Sequence, residues 1–89
     1  MEQPRSSPRK IYLTENHEYH VIDNTCVEVR DKKTRRTEVG HVAVGSRVIG
    51  CIRLSKRGFE MSRQVEAGSR LCFSSDVVTS VVTDIREGD

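Results

Sequence analysis

The stretch 47-RVIGCIRLSKRGFEMSRQV-65 decides the fold. Apolar residues alternate with polar ones on both sides of a cationic S-K-R-G centre, a period of two that belongs to half-buried strands. The pattern predicts strands over 47–55 and 59–65, joined by a hairpin tip at 55–58. Gly58 supplies the positive φ that such a tip requires. Val48, Gly50, Ile52 and Leu54 fall on one face and Ile49 and Cys51 on the other, so the first strand is expected to be buried on both sides. Phe59, like Phe73 further on, alternates with polar neighbours and is assigned to the core.

The same signals extend in both directions. Short strands are expected over 11–14 and 18–22. A turn at Asp23-Asn24 follows, since both side chains tolerate left-handed backbone. The clearest strand is "TCVEVRD" (25–31), with Val27 and Val29 on one face and Cys26, Glu28 and Arg30 on the other. "KKTRRT" (32–37) reads as a hairpin tip, and "EVGHVAV" (38–44) as a weak strand bulged at Gly40. Strands over 70–74 and 77–85 complete the chain. The heptads "VAVGSRV" (42–48) and "VEAGSRL" (65–71) echo one another; in each, Gly-Ser makes a turn and Arg opens the next strand, which suggests equivalent corners of a rolled sheet.

From Ile11 onward there is no proline and no helical periodicity. The fold class is therefore all-β: a small single-domain barrel or rolled sandwich of about 6–7 antiparallel strands. The domain is expected over 11–87. Residues 1–10, "MEQPRSSPRK", hold both prolines and no apolar pattern, the composition of a disordered basic tail. With 89 residues and 35% apolar composition the core must be small, which leaves room for a homodimer interface to contribute.

Charge is laid out unevenly. Residues 30–57 carry nine basic groups and two acidic ones, a surplus of +7 that leaves −5 for the rest of a chain whose total is +2. Arg30, Lys32, Lys33, Arg35 and Arg36 occupy one expected tip, and Arg53, Lys56 and Arg57 the other. With 38–44 counted as a strand, the two tips emerge at the same end and form one anion-attracting face. Its partner would be an acidic protein surface or nucleic acid.

Several chemistries are set aside. There is no phosphate-binding loop, nucleophile elbow or H-E-x-x-H motif, and no paired carboxylates, so no catalytic residue and no cofactor are expected. His17, His20, Cys26 and His41 do not follow a zinc-finger spacing. A strand places positions 17 and 20 on opposite faces, so surface histidines and no metal are expected. Cys26, Cys51 and Cys72 have apolar or β-forming neighbours and read as buried free thiols. With no leader and no membrane-span-length apolar run, the expected setting is cytoplasmic.

One family resemblance is carried by "RLSKRGFEM" and "VEAGSRL". Arg53-Leu54-Ser55-Lys56-Arg57-Gly58 is similar to the [D/N]-x-S-x-x-G motif of PilZ domains, and Arg5-Ser6-Ser7-Pro8-Arg9 to the R-x-x-x-R segment before their barrel. The resemblance implies a small six-stranded β-barrel that binds cyclic di-GMP. In that alternative reading Arg5 and Arg9 would clamp phosphate or stack on guanine, and Ser55 would contact the ligand. Arg53 departs from the motif: it stands where the family has Asp or Asn, and it has no acceptor to offer a guanine edge.

Overall fold

The structure, a computed structural model, describes residues 8–88. Eight strands form two four-stranded antiparallel sheets: β1 (Arg9–Leu13), β2 (His17–Ile22), β3 (Thr25–Asp31), β4 (Val48–Ser55), β5 (Gly58–Ser62), β6 (Arg70–Phe73), β7 (Val78–Val81) and β8 (Asp84–Gly88). The first sheet has the order β3-β2-β1-β8 and the second β5-β4-β6-β7. The all-β reading holds. The barrel does not, because β3, β8, β5 and β7 all remain sheet edges. Two strand assignments change, one lost and one gained. Residues 38–44 are a run of turns, and 77–85 splits in two. The split lies at Val82–Thr83. The Val82 amide still donates to Ser69 O (2.8 Å) in the second sheet, whereas the Thr83 amide donates to Leu13 O (2.7 Å) in the first. β1 also begins at Arg9, so its first two residues come from the stretch read as tail.

Local chemistry explains the turns. Asp23 and Asn24 take φ of 51° and 63° and close β2 onto β3 at the Ile22–Thr25 pair. Lys56 and Arg57 form a two-residue tip between the paired Ser55 and Gly58, with Gly58 at φ 109°. The turn after β3 is organised by the Asp31 carboxylate, which accepts the Lys33 and Thr34 amides at 2.8 and 2.9 Å. These amides hold the Asp31 carboxyl below its usual range. Arg35 takes the left-handed position at φ 64°.

The echoed heptads are indeed equivalent corners. The Ser46 hydroxyl donates to Ala43 O and the Ser69 hydroxyl to Glu66 O, each three residues back. Gly45 and Gly68 precede them at φ 89° and 94°. Each corner grips one buried residue by a matching pair of backbone bonds. Gly45 N donates to Cys26 O and Cys26 N to Ser46 O, while Gly68 N donates to Val82 O and Val82 N to Ser69 O. Cys26 and Val82 are both fully buried.

The core lies between the sheets. Tyr12, Tyr19, Val21, Cys26 and Val29 of the first sheet meet Leu71, Phe73 and Val82, with Ala43 from the long connection. The rings of Tyr19 and Phe73 are 5.6 Å apart. Cys26 and Val29, expected on opposite faces, are both buried, while Val27 is 41% exposed. The cause is a β-bulge: Val21 pairs with Cys26 and His20 with Glu28, which leaves Val27 as an extra residue and reverses the alternation. All three cysteines are free and buried, and burial pushes the Cys26 thiol up to about 11 and the Cys72 thiol up as well. Such thiols are poor nucleophiles.

The two sheets are offset along the long axis. Thr25 and Arg47 form an antiparallel bridge, flanked by Cys26 N to Ser46 O and Val48 N to Asn24 O. From an antiparallel crossing, β3 leaves in one direction and β4 in the other. At about 3.3 Å per residue the seven-residue β3 and eight-residue β4 together reach roughly 45–50 Å. The molecule measures 52 × 32 × 22 Å. The far half of the β4–β5 hairpin therefore extends as an arm from the two-sheet core.

Candidate functional site

The cationic tips expected side by side are separated by this geometry. Residues 32–36 follow the end of β3, and Lys56-Arg57 follow the end of β4, so they occupy opposite ends. The same-end arrangement required a strand at 38–44, which is absent.

Several of the cations are also engaged internally. Arg30 binds Glu28 through two nitrogens at 2.9 and 3.3 Å. Arg35 Nε lies 3.4 Å from Glu18 and Arg53 pairs with Glu66 at 2.9 Å. Lys32, Lys33, Arg36, Lys56 and Arg57 form no ion pair among the described residues and remain exposed.

The residues implicated by the PilZ resemblance fall in different places. Arg5 lies outside the described residues. Arg9 is in β1, where it contacts His20 Nδ1 at 3.2 Å and Glu28 at 3.5 Å. Ser55, in the second sheet, is closed into its own turn: its hydroxyl donates to Gly58 O and accepts the Arg57 amide.

On the outer face of the first sheet these contacts form a polar network of Arg9, Glu18, His20, Glu28, Arg30, Arg35 and Thr37. Hydrogen bonds from Arg30 and then Thr37 hold the Glu28 carboxyl down to about 2. His20 is only 4% exposed, against the expectation of a surface histidine, and burial lowers its pKa. These ions largely engage one another, which is structural chemistry, although the Arg9 Nε is buried without a hydrogen-bond partner among the described residues.

The outer face of the second sheet is different, and sequence reasoning missed it. Leu54 pairs with Phe59 and Ile52 with Met61 across β4 and β5, so the four share one face. Leu54 is 71%, Phe59 75% and Met61 70% exposed. Val78 and Val81 of β7 continue this face, both exposed. Together with Gly68 and Arg70, Ile52, Leu54, Phe59, Val78 and Val81 line a groove of about 540 Å³, in which Arg70 is the only charged lining residue among those described. The Arg70 guanidinium is anchored weakly to Thr79 O at 3.5 Å.

The face is apolar because β4 is not buried on both sides. Cys51 points into the core, whereas the residues after it belong to the arm, beyond the reach of the first sheet. Phe59, assigned to the core from its alternation, is thus on the surface. The signal that could have identified it is the run of apolar residues on both strands of a hairpin whose tip is Lys-Arg. Such a tip must be solvated, so its hairpin can reach beyond the core.

No membrane-spanning helix is present among the described residues. Comparisons with protein-family models, with curated proteins and with solved structures give no match.

Proposed function

We propose that the chain is a non-catalytic binding module that holds an acidic partner protein along the outer face of its second sheet. One observation carries this reading: exposed Leu54, Phe59 and Met61 share one face of β5 and β4 with half-buried Ile52, and exposed Val78 and Val81 of β7 line the same groove on the far side of Arg70 of β6. Contiguous apolar patches of this kind mark interaction sites. The charges at the groove select its occupant. Arg70 lies within it, Lys56 and Arg57 cap the arm beyond the Leu54–Phe59 and Ser55–Gly58 pairs, and no carboxylate among the described residues lines it. A second copy would bring like charges together; an extended segment with alternating apolar and acidic residues would not. β5 is a sheet edge, so its outward backbone groups are placed to pair with such a segment as an added strand.

The test is a displayed library of extended peptides, selected on the full chain, with amide shifts mapped for each binder. Shifts confined to β4, β5 and β7, with binding lost in Leu54→Ser and Phe59→Ser, support the proposal. Salt-sensitive binding of DNA or RNA that disappears in Arg35→Glu plus Arg36→Glu would replace it with the nucleic-acid reading. Calorimetric heat with cyclic di-GMP, abolished by Arg9→Ala, would replace it with the PilZ-like one.

A further inference from the structure

His17 opens β2, and Glu38 and His41 come from the turn-rich connection between β3 and β4. One potential ligand atom from each lies within 4.8 Å of the others. We propose that His17, Glu38 and His41 form a binding site for a divalent transition-metal ion of the zinc class, with one coordination position left to water.

The donor set favours this class. Two imidazoles and one carboxylate suit Zn²⁺ and its neighbours, while Mg²⁺ and Ca²⁺ prefer all-oxygen ligands. Three protein ligands with a fourth position open is a recurrent zinc arrangement. Ligands about 2.0–2.2 Å from a tetrahedral ion stand roughly 3.3–3.6 Å from one another. The observed separations bracket that value: His17 Nε2 and Glu38 Oε2 are 2.8 Å apart, and the widest pair is within 4.8 Å. Side-chain adjustments of about an ångström close the site.

The three residues are held in place before any ion arrives. His17 is tied through its backbone to Thr14, with Thr14 N donating to His17 O at 2.9 Å. The Glu38 amide donates to Val29 O at 2.8 Å. The His41 ring sits edge-on to both His17 and Tyr19, with centroids 5.4 and 5.8 Å away. All three ligands are half-buried, which leaves one open side. The acidic Asp31 is paired with His17 across β2 and β3 and adds negative charge nearby.

Binding through these atoms breaks the His17 Nε2–Glu38 Oε2 hydrogen bond and has a second structural consequence. His41 Nδ1 now accepts the Ala43 amide at 3.1 Å. If the ion takes Nδ1, it displaces that amide. If the ion takes Nε2, the proton must move to Nδ1, and two donors then face each other. Either way the Ala43 amide leaves the ring. The ion would fasten the connection spanning 32–47 to strand β2, so it is expected to stabilise the fold as well as to bind.

The experiment is titration of the full chain with Zn²⁺ alone, followed by calorimetry, thermal melting and amide shifts, with Co²⁺ as a spectroscopic substitute. The expected result is one ion per chain, a raised melting temperature and a large shift at the Ala43 amide. Affinity should fall by about 100-fold or more in His17→Ala and in His41→Gln, and be unchanged in His20→Ala. Because His17→Ala could perturb β2, Glu38→Gln serves as the second variant; it should weaken binding while the metal-free amide spectrum stays folded. No binding at millimolar Zn²⁺, affinity insensitive to His41→Gln, or a Co²⁺–thiolate absorption band revealing Cys ligation would each overturn the proposal.

Discussion

Phe59 and Phe73 are the only two phenylalanines in the chain, and the structure gives them opposite roles. Phe73 is 1% exposed and packs on Tyr19, so Phe73→Ala removes a fully buried ring and leaves a cavity. Changes of that kind cost about 3–5 kcal/mol. A domain of this length has about 5–13 kcal/mol in total, so the variant should lose a large part of its stability. Phe59 is 75% exposed on edge strand β5. Phe59→Ala gives up little burial, and its cost should stay within about 1 kcal/mol, most of it strand propensity. Urea unfolding of both variants at two protein concentrations measures the contrast. The reasoning fails if Phe59→Ala costs 2 kcal/mol or more, since the groove would then be covered in the isolated protein. If wild-type stability also rises with concentration while that of the variant does not, the cover is a second copy of the chain, and the acidic-partner reading fails with it.

Gly50 adopts φ 148°, and a Cβ there would overlap the Ser62 carbonyl oxygen. Gly50→Ala should therefore cost about 3 kcal/mol or more in chemical denaturation. At Gly58 a Cβ meets nothing within 4 Å, so Gly58→Ala should cost only its backbone strain, about 1–2 kcal/mol. The pH dependence below pH 8 follows from Glu28, His20 and the depressed Asp31 carboxyl. Glu28 titrates near 2 in the fold against an ordinary 4.5, and its side chain is 20% exposed. Its folded pKa is depressed, so its contribution of up to about 3 kcal/mol is complete above pH 4.5 and is lost as pH falls toward 2. His20, also lowered in the fold, binds its proton more readily when unfolded, so stability should begin to fall below about pH 6.5. Unfolding free energies from pH 8 to 2 should show both steps, with the acidic one reduced in Glu28→Gln to what the depressed Asp31 carboxyl still contributes.

The period-two pattern was enough to identify the fold class, the β2–β3 and β4–β5 turns and the paired Gly-Ser corners, because each is a local consequence of side-chain chemistry. What could not be read locally were decisions made by tertiary contact. The 77–85 run has no punctuation at Val82–Thr83; the chain changes sheets there because successive amides are taken by Ser69 O in one sheet and Leu13 O in the other. The bulge at Val27 is equally silent in sequence, yet it sends Cys26 and Val29 to the same side. The false strand at 38–44 had apolar content of the right kind. Of that segment only Ala43 reaches the core, while Val39 is 94% and Val42 63% exposed.

The sequence pointed to the cationic runs, and not to the apolar face, for a related reason. Charge is visible in a sequence, so attention goes to 30–36 and 53–57, where cations crowd. Whether a cation is free depends on residues far along the chain: Glu28 engages Arg30, Glu18 engages Arg35, and Glu66 engages Arg53. Part of the −5 outside the window goes to these pairs, so three of the nine cations in the window are engaged on folding. Apolar exposure has the opposite character. Alternation in β4 and β5 guarantees that Ile52, Leu54, Phe59 and Met61 share a face, but burial of that face requires a layer above it. The antiparallel crossing at Thr25–Arg47 directs the first sheet away from the arm, so the layer is missing. An apolar face that the fold itself leaves uncovered must be tolerated by solvent or covered by a partner. The cations that remain unpaired at its tip, Lys56 and Arg57, favour a partner that brings carboxylates with it.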